Sequence, residues 1–257
     1  MRSLCSAFLN GRGLQDVDPA LLLTEVRHSP AETVYADIRL PGGAALTVKR
    51  TVHPARVRLS FEVHEEDGAR RRAILDRAAA WAAGGGTLTV SDRPGQALRV
   101  RCARLPEISA AHWCERLTLE LEGFPLPWWQ DERPQTVQLD GRSGTAEVFV
   151  PGCAGEAPVS VTLRAKGPLG SLQFTAGESA IRLEGLALKA GGELVLGIRP
   201  ETGLLFIRRA ETGASLLGCR TADSSDLLLL PAGRRNRLSL TADAEAEAEF
   251  QVRGVYP

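Results

Sequence analysis

A chain of 257 residues can form one large β domain or two smaller domains, and 44% hydrophobic with 24% charged residues is the balance of a folded globular protein. This composition argues against a disordered, collagen-like or membrane-spanning chain. Basic and acidic side chains number 31 each, so the formal net charge is zero. Without a basic excess, we expect neither sequence-specific nucleic-acid binding nor a membrane partner.

The cysteines and the start of the chain both bear on where the protein folds. The five cysteines are odd in number and form no Cys-x-x-Cys pair, which predicts reduced thiols and folding in a cytoplasm. Met1 to Gly11 has only short apolar stretches, so we expect no signal peptide or spanning helix there.

Three strands are predicted in the first half of the chain from period-two alternation of apolar and polar residues. The strongest pattern is Val57–Val63, where the odd positions are apolar and the even ones polar. Leu98 to Cys102 and Leu117 to Leu121 alternate in the same way. Each pattern is typical of a sheet with one buried and one solvated face.

One helix is predicted between these strands, from about Gly68 to Ala83. Asp67 is a suitable N-cap, and the glycines at 84–86 supply a left-handed end. The apolar residues recur at the three-and-four spacing of a buried stripe. They are Ile74, Leu75, Ala78, Trp81 and Ala82.

A change in composition between Phe124 and Pro134 predicts a domain boundary. Prolines interrupt any regular ladder there and flank two tryptophans. We expect one domain at residues 1–130 and a second at 131–257. Two roles for the tryptophans stay open, anchoring a partner or packing a linker, and we favour the linker. The residues assigned to this interdomain linker or interface are Pro125, Pro127, Trp128 and Trp129.

The second domain is predicted to be an all-β sandwich or barrel, because short strands recur about every ten residues. Turns are expected at Pro41-Gly42-Gly43, Asp140-Gly141, Ala190-Gly191-Gly192 and Pro231-Ala232-Gly233. Ala244–Glu249 is interpreted as a strand whose charged face discourages edge pairing. The expected strands are 146–150, 159–165, 171–175, 180–183, 193–198, 204–208, 226–230, 237–241 and 245–253.

The sequence contains no recognisable catalytic, cofactor-binding or metal-binding motif. His64 is followed by three carboxylates, but consecutive strand residues point in different directions and cannot easily surround one ion. Cys102, His112 and Cys114 fit no zinc spacing. Gly141-Arg142-Ser143-Gly144 lacks the pattern of a nucleophile elbow and is interpreted as a turn. We therefore predict a non-enzymatic protein with no cofactor.

Several segments follow one another in an order that matches one family over nearly the whole chain. They are Phe8-Leu9-Asn10-Gly11, the turn from Ile38 to Gly43, the Val57–Val63 strand, the helix ending near Trp81, the run from Leu117 to Trp129, Asp226 to Gly233 followed by Asn236, and Arg253-Gly254-Val255-Tyr256. In this order they resemble the distal tail proteins of siphophages, called Dit.

This resemblance implies a mainly β fold and a structural role. The N-terminal domain would be a β-rich belt, a split barrel or sandwich with one α-helix, that assembles into a homo-hexameric ring. The C-terminal domain would be a galectin-like β-sandwich. The implied partners are the major tail tube protein, a tail-associated lysin or fibre hub, and the tape-measure protein in the lumen. The implied location is the virion tail tip, assembled in the host cytoplasm.

Other functions stay open from the sequence alone. The alternative is a carbohydrate-binding protein that contacts host glycans. It is disfavoured because Phe149, Phe174, Phe206 and Phe250 lie in apolar strand patterns and are expected in the core, so we predict no measurable glycan affinity. A cell-wall hydrolase would need a catalytic site that the sequence does not display. A subunit of another tail-like machine is also compatible with the pattern.

Overall fold

The computed structural model describes residues 5–40, 43, 45–110 and 115–257, and in this part of the chain the fold is mainly β with a single α-helix. The predicted fold class is therefore confirmed. The chain divides into two compact units, which are described separately. Unit 1 runs to Gln130 and includes Pro257, and unit 2 spans Asp131–Tyr256. Among the described residues, no helix combines the length and apolar character needed to cross a membrane.

Unit 1 consists of short and medium antiparallel strands, a 3₁₀ turn at Leu14–Asp16 and one α-helix. Its elements are β1 (Ala7–Leu9), β2 (Arg12–Gly13), β3 (Leu21–Ser29), β4 (Glu32–Arg39), β5 (Ala45–His53), β6 (Arg56–Val63), α1 (Gly68–Ala83), β7 (Gly86–Val90), β8 (Gln96–Ala110), β9 (Glu115–Gly123) and β10 (Trp129–Asp131).

The main sheet of unit 1 has the order β2-β1-β7-β8-β9-β6-β3, and β10 pairs with β8. Its core is the inward face of β6 and β9, where Leu59 stands opposite Leu119 and Phe61 opposite Leu117. All four side chains are fully buried. The alternation that predicted β6 and β9 is thus confirmed, and it follows from burying every second side chain of each strand. Strands β4 and β5 form a separate two-stranded sheet.

Helix α1 spans the predicted residues and packs on β6, β8 and β9. The Asp67 carboxylate accepts hydrogen bonds from the backbone N–H of Ala69 (2.8 Å) and Arg70 (3.4 Å), so the predicted N-cap is confirmed. At the other end Gly84 is still helical, and Gly85 takes the left-handed conformation (φ +59°). Trp81 is only half buried, unlike the rest of its stripe.

The segment Phe8-Leu9-Asn10-Gly11 is a tight hairpin between β1 and β2. Asn10 (φ 55°) and Gly11 (φ +75°) both lie in the left-handed region, as an Asn-Gly hairpin turn of type I′ requires. The Asn10 side chain donates to the Gly85 carbonyl oxygen (3.1 Å) and accepts from the Thr87 N–H (2.9 Å). Asn10 therefore joins the N-terminal hairpin to the segment that follows α1.

Unit 2 is all-β apart from a 3₁₀ turn at Leu217–Cys219. Its strands are β11 (Gln135–Phe149), β12 (Glu156–Ala165), β13 (Leu169–Ala176), β14 (Ser179–Leu188), β15 (Glu193–Ile198), β16 (Leu205–Arg209), β17 (Leu229–Pro231), β18 (Arg235–Val252) and β19 (Val255–Tyr256).

Two long strands, β11 and β18, carry the sheet of unit 2 from one layer to the other. The first half of β18 lies between β11 and β13, and β13 in turn pairs with β14. The second half lies between β11 and β12, followed by β15 and β16. Phe174 of the first layer meets Phe250 of the second edge-on, with ring centroids 5.8 Å apart. The layers thus enclose one core, as expected of a sandwich whose strands change sheets at a bend.

Several sequence expectations for unit 2 are wrong in detail. Asp140-Gly141 is not a hairpin corner, and the Gly141–Gly144 segment is not a turn, because both lie within β11. The positive φ of Gly141 (+99°) serves a bulge between Gly141 and Ser143. A bulge lets a strand bend without ending, which is why the expected strand at 146–150 is only the end of β11.

The alanine and glutamate tract is a strand, as predicted, but it does not lie at an edge. Residues 246–252 of β18 pair with β11 on one side and β12 on the other. Ala246 and Ala248 are buried, whereas Glu245 and Glu247 are exposed. Small alanines fit the centre of this sheet, so the glutamates mark its solvated face and do not protect an edge.

The remaining turn expectations have mixed outcomes. Ala190-Gly191-Gly192 and Pro231-Ala232-Gly233 are connections, but the strands that they join do not pair with each other. The strand expected at 226–230 is shortened to β17, because Ser225 and its neighbours hydrogen-bond to β14 as a polar loop. Pro41 and Gly42 lie outside the described residues, and Gly43 has a φ of +87°.

Candidate interaction surfaces

The hairpin formed by β4 and β5 exposes an apolar face. Ten large hydrophobic residues are exposed in the described part of the chain, and six of them lie on or beside this hairpin. Of these six, the most exposed are Tyr35 (56%), Ile38 (53%), Leu46 (53%) and Val48 (52%). A contiguous exposed apolar surface of this kind typically marks an interface.

The strand register places Val34, Ile38 and Leu46 on the same side of the hairpin. Ile38 stands directly opposite Leu46, and Val34 shares this side because side chains alternate along β4. The register shift inserts Val48 into β5 and leaves the alternation of β4 unchanged, so Tyr35 lies on the opposite side. On that opposite side the Thr47 hydroxyl donates to Asp37 Oδ1 at 2.6 Å. The side that carries Val34, Ile38 and Leu46 is the apolar face, and no described residue buries it.

The outer face of β6, β8 and β9 carries paired charges. Arg101 Nη2 lies 2.7 Å from Glu122 Oε1, and Arg116 Nη2 lies 2.7 Å from Glu62 Oε1. Arg58 Nη2 lies 3.5 Å from Glu120 Oε2. Because opposite charges alternate across neighbouring strands, this surface carries little net charge despite its many arginines.

Two carboxylates of unit 1 are held in their charged form. The hydrogen bond from Arg116 lowers the pKa of Glu62, against the opposing effect of partial burial. The hydrogen bond from the Ala20 N–H is the main cause of the lowered pKa of Asp18, and Arg77 adds to it. Both groups favour the folded state when they are ionised.

Unit 2 has a groove of about 710 Å³ on the solvated face of its second layer. The floor comes from β12, β15, β16 and β18, and one wall from the connection around Arg199 and Glu201. Polar side chains with one aromatic ring cover this floor. They are Ser160, Thr162, Phe206, Arg208 and Gln251.

The strand pairing aligns these groove residues in one row across the sheet. Gln251 stands opposite Ser160, and the antiparallel registers continue the same row to Gly197 and Phe206. Gly197 gives the Phe206 ring room to lie against the sheet, since a Cβ there would be only 3.1 Å from ring atom Cε1. The Arg208 guanidinium carbon lies 5.1 Å from the centroid of the Phe206 ring.

Phe206 and Phe149 are therefore wrongly predicted as core residues, whereas the prediction for Phe174 and Phe250 is confirmed. Phe174 and Phe250 are fully buried. Phe206 is half buried beside the groove, and Phe149 is 52% exposed near the end of β11. Each misplaced phenylalanine has apolar neighbours on both sides in sequence, and these neighbours occupy the inward positions.

The proline and tryptophan segment folds against unit 1. The Trp129 indole is buried between the His28 ring (centroids 5.6 Å apart) and the Arg93 guanidinium (4.9 Å from the ring centroid). Trp128 is also buried. The Pro127 carbonyl oxygen accepts a hydrogen bond from the Ala55 N–H at 2.8 Å, and the peptide bond between Phe124 and Pro125 is cis. The assignment of Pro125, Pro127, Trp128 and Trp129 to a linker or interface stays a prediction.

The histidines and acidic residues singled out in the sequence have separate partners. His64 Nε2 lies 3.5 Å from Glu62 Oε2, and Glu65 Oε2 pairs with Arg70 Nε at 3.0 Å. Asp67 caps α1. In the described ranges no three histidine, cysteine or acidic side chains are placed to share a metal ion. His112 and Cys114 lie outside these ranges.

Sequence reasoning missed both surfaces, although the same alternation could have indicated them. In Leu205-Phe206-Ile207 the two aliphatic residues point inward, so the residue between them faces solvent. In β5, Leu46 and Val48 alternate with Thr47 and Lys49, as in a buried strand. The pattern identifies a two-faced strand in each case, but it does not say what covers either face.

No family model and no curated protein matches this chain. Solved structures do match, and they show that the chain has the fold of phage tail-hub and baseplate proteins. It is similar along 98% of its length to the SPP1 Dit protein (gp 19.1), described as a paradigm of the hub adsorption apparatus in phages that infect Gram-positive bacteria. The TM-score is 0.71 at 12% identity, with 99% of that chain covered.

Two further matches are baseplate structures of phage P2 in the activated conformation. The form with Ca gives a TM-score of 0.54 at 9% identity, and the form with Sr gives 0.55 at 8%. In both cases 98% of each chain is covered. Agreement over full length at such low identity is agreement of fold. The resemblance to distal tail proteins is therefore confirmed as a resemblance of fold.

Proposed function

We propose that this protein is a structural subunit of a phage or prophage tail tip. In this role, copies of unit 1 form a ring, most simply a homo-hexamer, that connects the tail tube to the adsorption apparatus. The ring leaves a lumen for the tape-measure protein and for DNA. Its other partners are the major tail tube protein and a tail-associated lysin or fibre hub. The protein is assembled in the host cytoplasm, and it acts as a scaffold without enzymatic activity.

The exposed apolar face of the β4–β5 hairpin carries this proposal. A two-stranded hairpin is at best marginally stable by itself, so an apolar face on such a hairpin needs a covering surface. In a closed ring every copy offers the same hairpin to its neighbour and leaves none uncovered. The edge strand β3 supports the same arrangement, because this nine-residue strand pairs with a neighbour on one side only within the described chain.

The proposal is tested by changing one face of the hairpin at a time. Ile38→Ser with Leu46→Ser alters the apolar face, whereas Asp37→Ser with Arg39→Ser alters the residues of β4 that flank Ile38 and lie on the opposite face. Analytical ultracentrifugation of the full chain should show that the first variant dissociates at concentrations where the wild type and the second variant stay assembled. A wild-type monomer, or equal behaviour of the two variants, would contradict the role of the hairpin.

Carbohydrate binding, the alternative raised by the sequence, concerns unit 2 and is compatible with a ring built from unit 1. The observation in its favour is the position of Phe206. This ring is half exposed beside hydroxyl and amide groups, where the sequence predicted a core residue.

A further inference from the structure

We propose that the groove of unit 2 binds a neutral saccharide. It would do so on the row of outward side chains from Gln251 through Ser160 and Gly197 to Phe206, with Thr162 and Arg208 in the adjacent row. This site adds a recognition function to a subunit whose proposed role is assembly, and it does not depend on the ring.

The hydrogen-bonding groups of the groove suit sugar hydroxyls. Each sugar hydroxyl both donates and accepts, so a complementary site needs both kinds of group close together. The hydroxyls of Ser160 and Thr162 supply both, and neither is hydrogen-bonded to another residue in the described part of the chain. Gln251 is held in place by donating from Nε2 to Glu249 Oε1 at 2.7 Å, which leaves its carbonyl oxygen as an acceptor.

Phe206 supplies the apolar surface that a sugar ring requires. The C–H groups of a pyranose present a weakly apolar face, and an aromatic ring at one end of a polar row can contact it. Gly197 leaves the space in which this ring lies on the sheet. The planar guanidinium of Arg208 beside the ring can donate two hydrogen bonds to neighbouring hydroxyls.

The charges and dimensions of the groove disfavour other ligands. Arg199 and Arg208 are balanced by Glu201 in the wall and Glu249 beside the floor, so an anionic polymer gains no net attraction. A protein partner would need a larger apolar centre than one half-buried phenylalanine. A groove of about 710 Å³ has the volume of a small-molecule site and accommodates a short oligosaccharide.

The test measures binding of four neutral disaccharides to the full chain: lactose, maltose, cellobiose and N,N′-diacetylchitobiose. Saturation-transfer NMR at millimolar sugar should detect at least one of them, and calorimetry then gives its affinity. Phe206→Ala should weaken binding of that sugar by about tenfold or more. The matched control is Phe149→Ala, which removes an exposed phenylalanine of the same unit outside the groove and should leave affinity unchanged.

A second variant separates lost contacts from lost folding. Gln251→Ala removes a polar contact of the groove without removing an apolar side chain, so weaker binding with unchanged thermal unfolding supports the site. The proposal is overturned if none of the four sugars binds, if Phe206→Ala and Phe149→Ala have the same affinity, or if only an acidic polysaccharide such as polygalacturonate binds. Electron microscopy of the same samples reports ring formation independently.

Discussion

Two antiparallel strand pairs of unit 1 have the same sequence signature and different surroundings. In β6 and β9 the apolar side chains of every second position are fully buried, and α1 packs on these strands. In β4 and β5 a similar alternation leaves Ile38, Leu46 and Val48 more than half exposed. Period-two alternation therefore predicts that one face will be covered, but not whether the same chain supplies the cover.

In the proposed function, this difference lets one subunit both fold and assemble. The pair covered by α1 gains its hydrophobic free energy when the chain folds, whereas the hairpin can gain it only when another surface arrives. In the proposed function that surface belongs to the neighbouring copy. Folding and assembly thus depend on different strands, and substitutions in the two pairs should have separable effects.

The largest effect is expected from truncating the same residue type in each pair. Leu119 in β9 is fully buried, so Leu119→Ala should lower the free energy of unfolding by about 2–5 kcal/mol. Leu46→Ala in β5 should change it by less than about 0.5 kcal/mol in the dissociated chain, because Leu46 is exposed. Urea unfolding at low protein concentration measures both. Similar losses for the two variants would show that the two strand pairs do not differ in their contribution to folding.

A smaller effect is expected where the end of α1 approaches the sheet. Gly85 has a φ of +59°, and a Cβ there would lie 2.5 Å from the Val100 carbonyl oxygen. Gly85→Ala should therefore destabilise the chain by about 1–3 kcal/mol. Gly84 is helical with nothing within 4 Å of its added Cβ, so Gly84→Ala is the matched control. Equal melting temperatures for the two variants would show that the glycine conformation is unimportant.

The smallest effect concerns the charged outer face of β6 and β9. Because the pKa of Glu62 is lowered in the folded chain, its contribution is present above the ordinary pKa of a glutamate and is lost as the pH falls through the lowered value. The pair with Arg116 is largely solvated, so we expect about 0.2–1 kcal/mol. Glu62→Gln should reduce the acid-induced loss of stability by that amount. An unchanged pH dependence would assign the loss to other carboxylates.

Local chemistry made part of this fold predictable from the sequence. Asp67 begins α1 and the following glycines end it, because capping and left-handed backbone depend on residues that are adjacent in the chain. The turn predicted at Gly141 is wrong because a positive φ serves a bulge as well as a turn, and only the pairing of β11 with β18 distinguishes them. The core position predicted for Phe206 is wrong because hydrophobicity alone does not show that Phe206 lies between two inward residues of the same strand.

The two surfaces were harder to predict, since each depends on contacts that the sequence order does not contain. The groove exists only where β12, β15, β16 and β18 lie side by side, and these strands are far apart in the chain. The hairpin is recognisable as an interface only when its apolar face is found uncovered.

In the proposed ring, identical copies around a hollow axis cover one another's exposed hairpin faces. Electron microscopy of the purified full chain, with native mass spectrometry of the same sample, tests this most directly. We expect an annulus with a central opening and a mass of six copies. A compact monomer that keeps the β4–β5 face exposed at high concentration would contradict the ring.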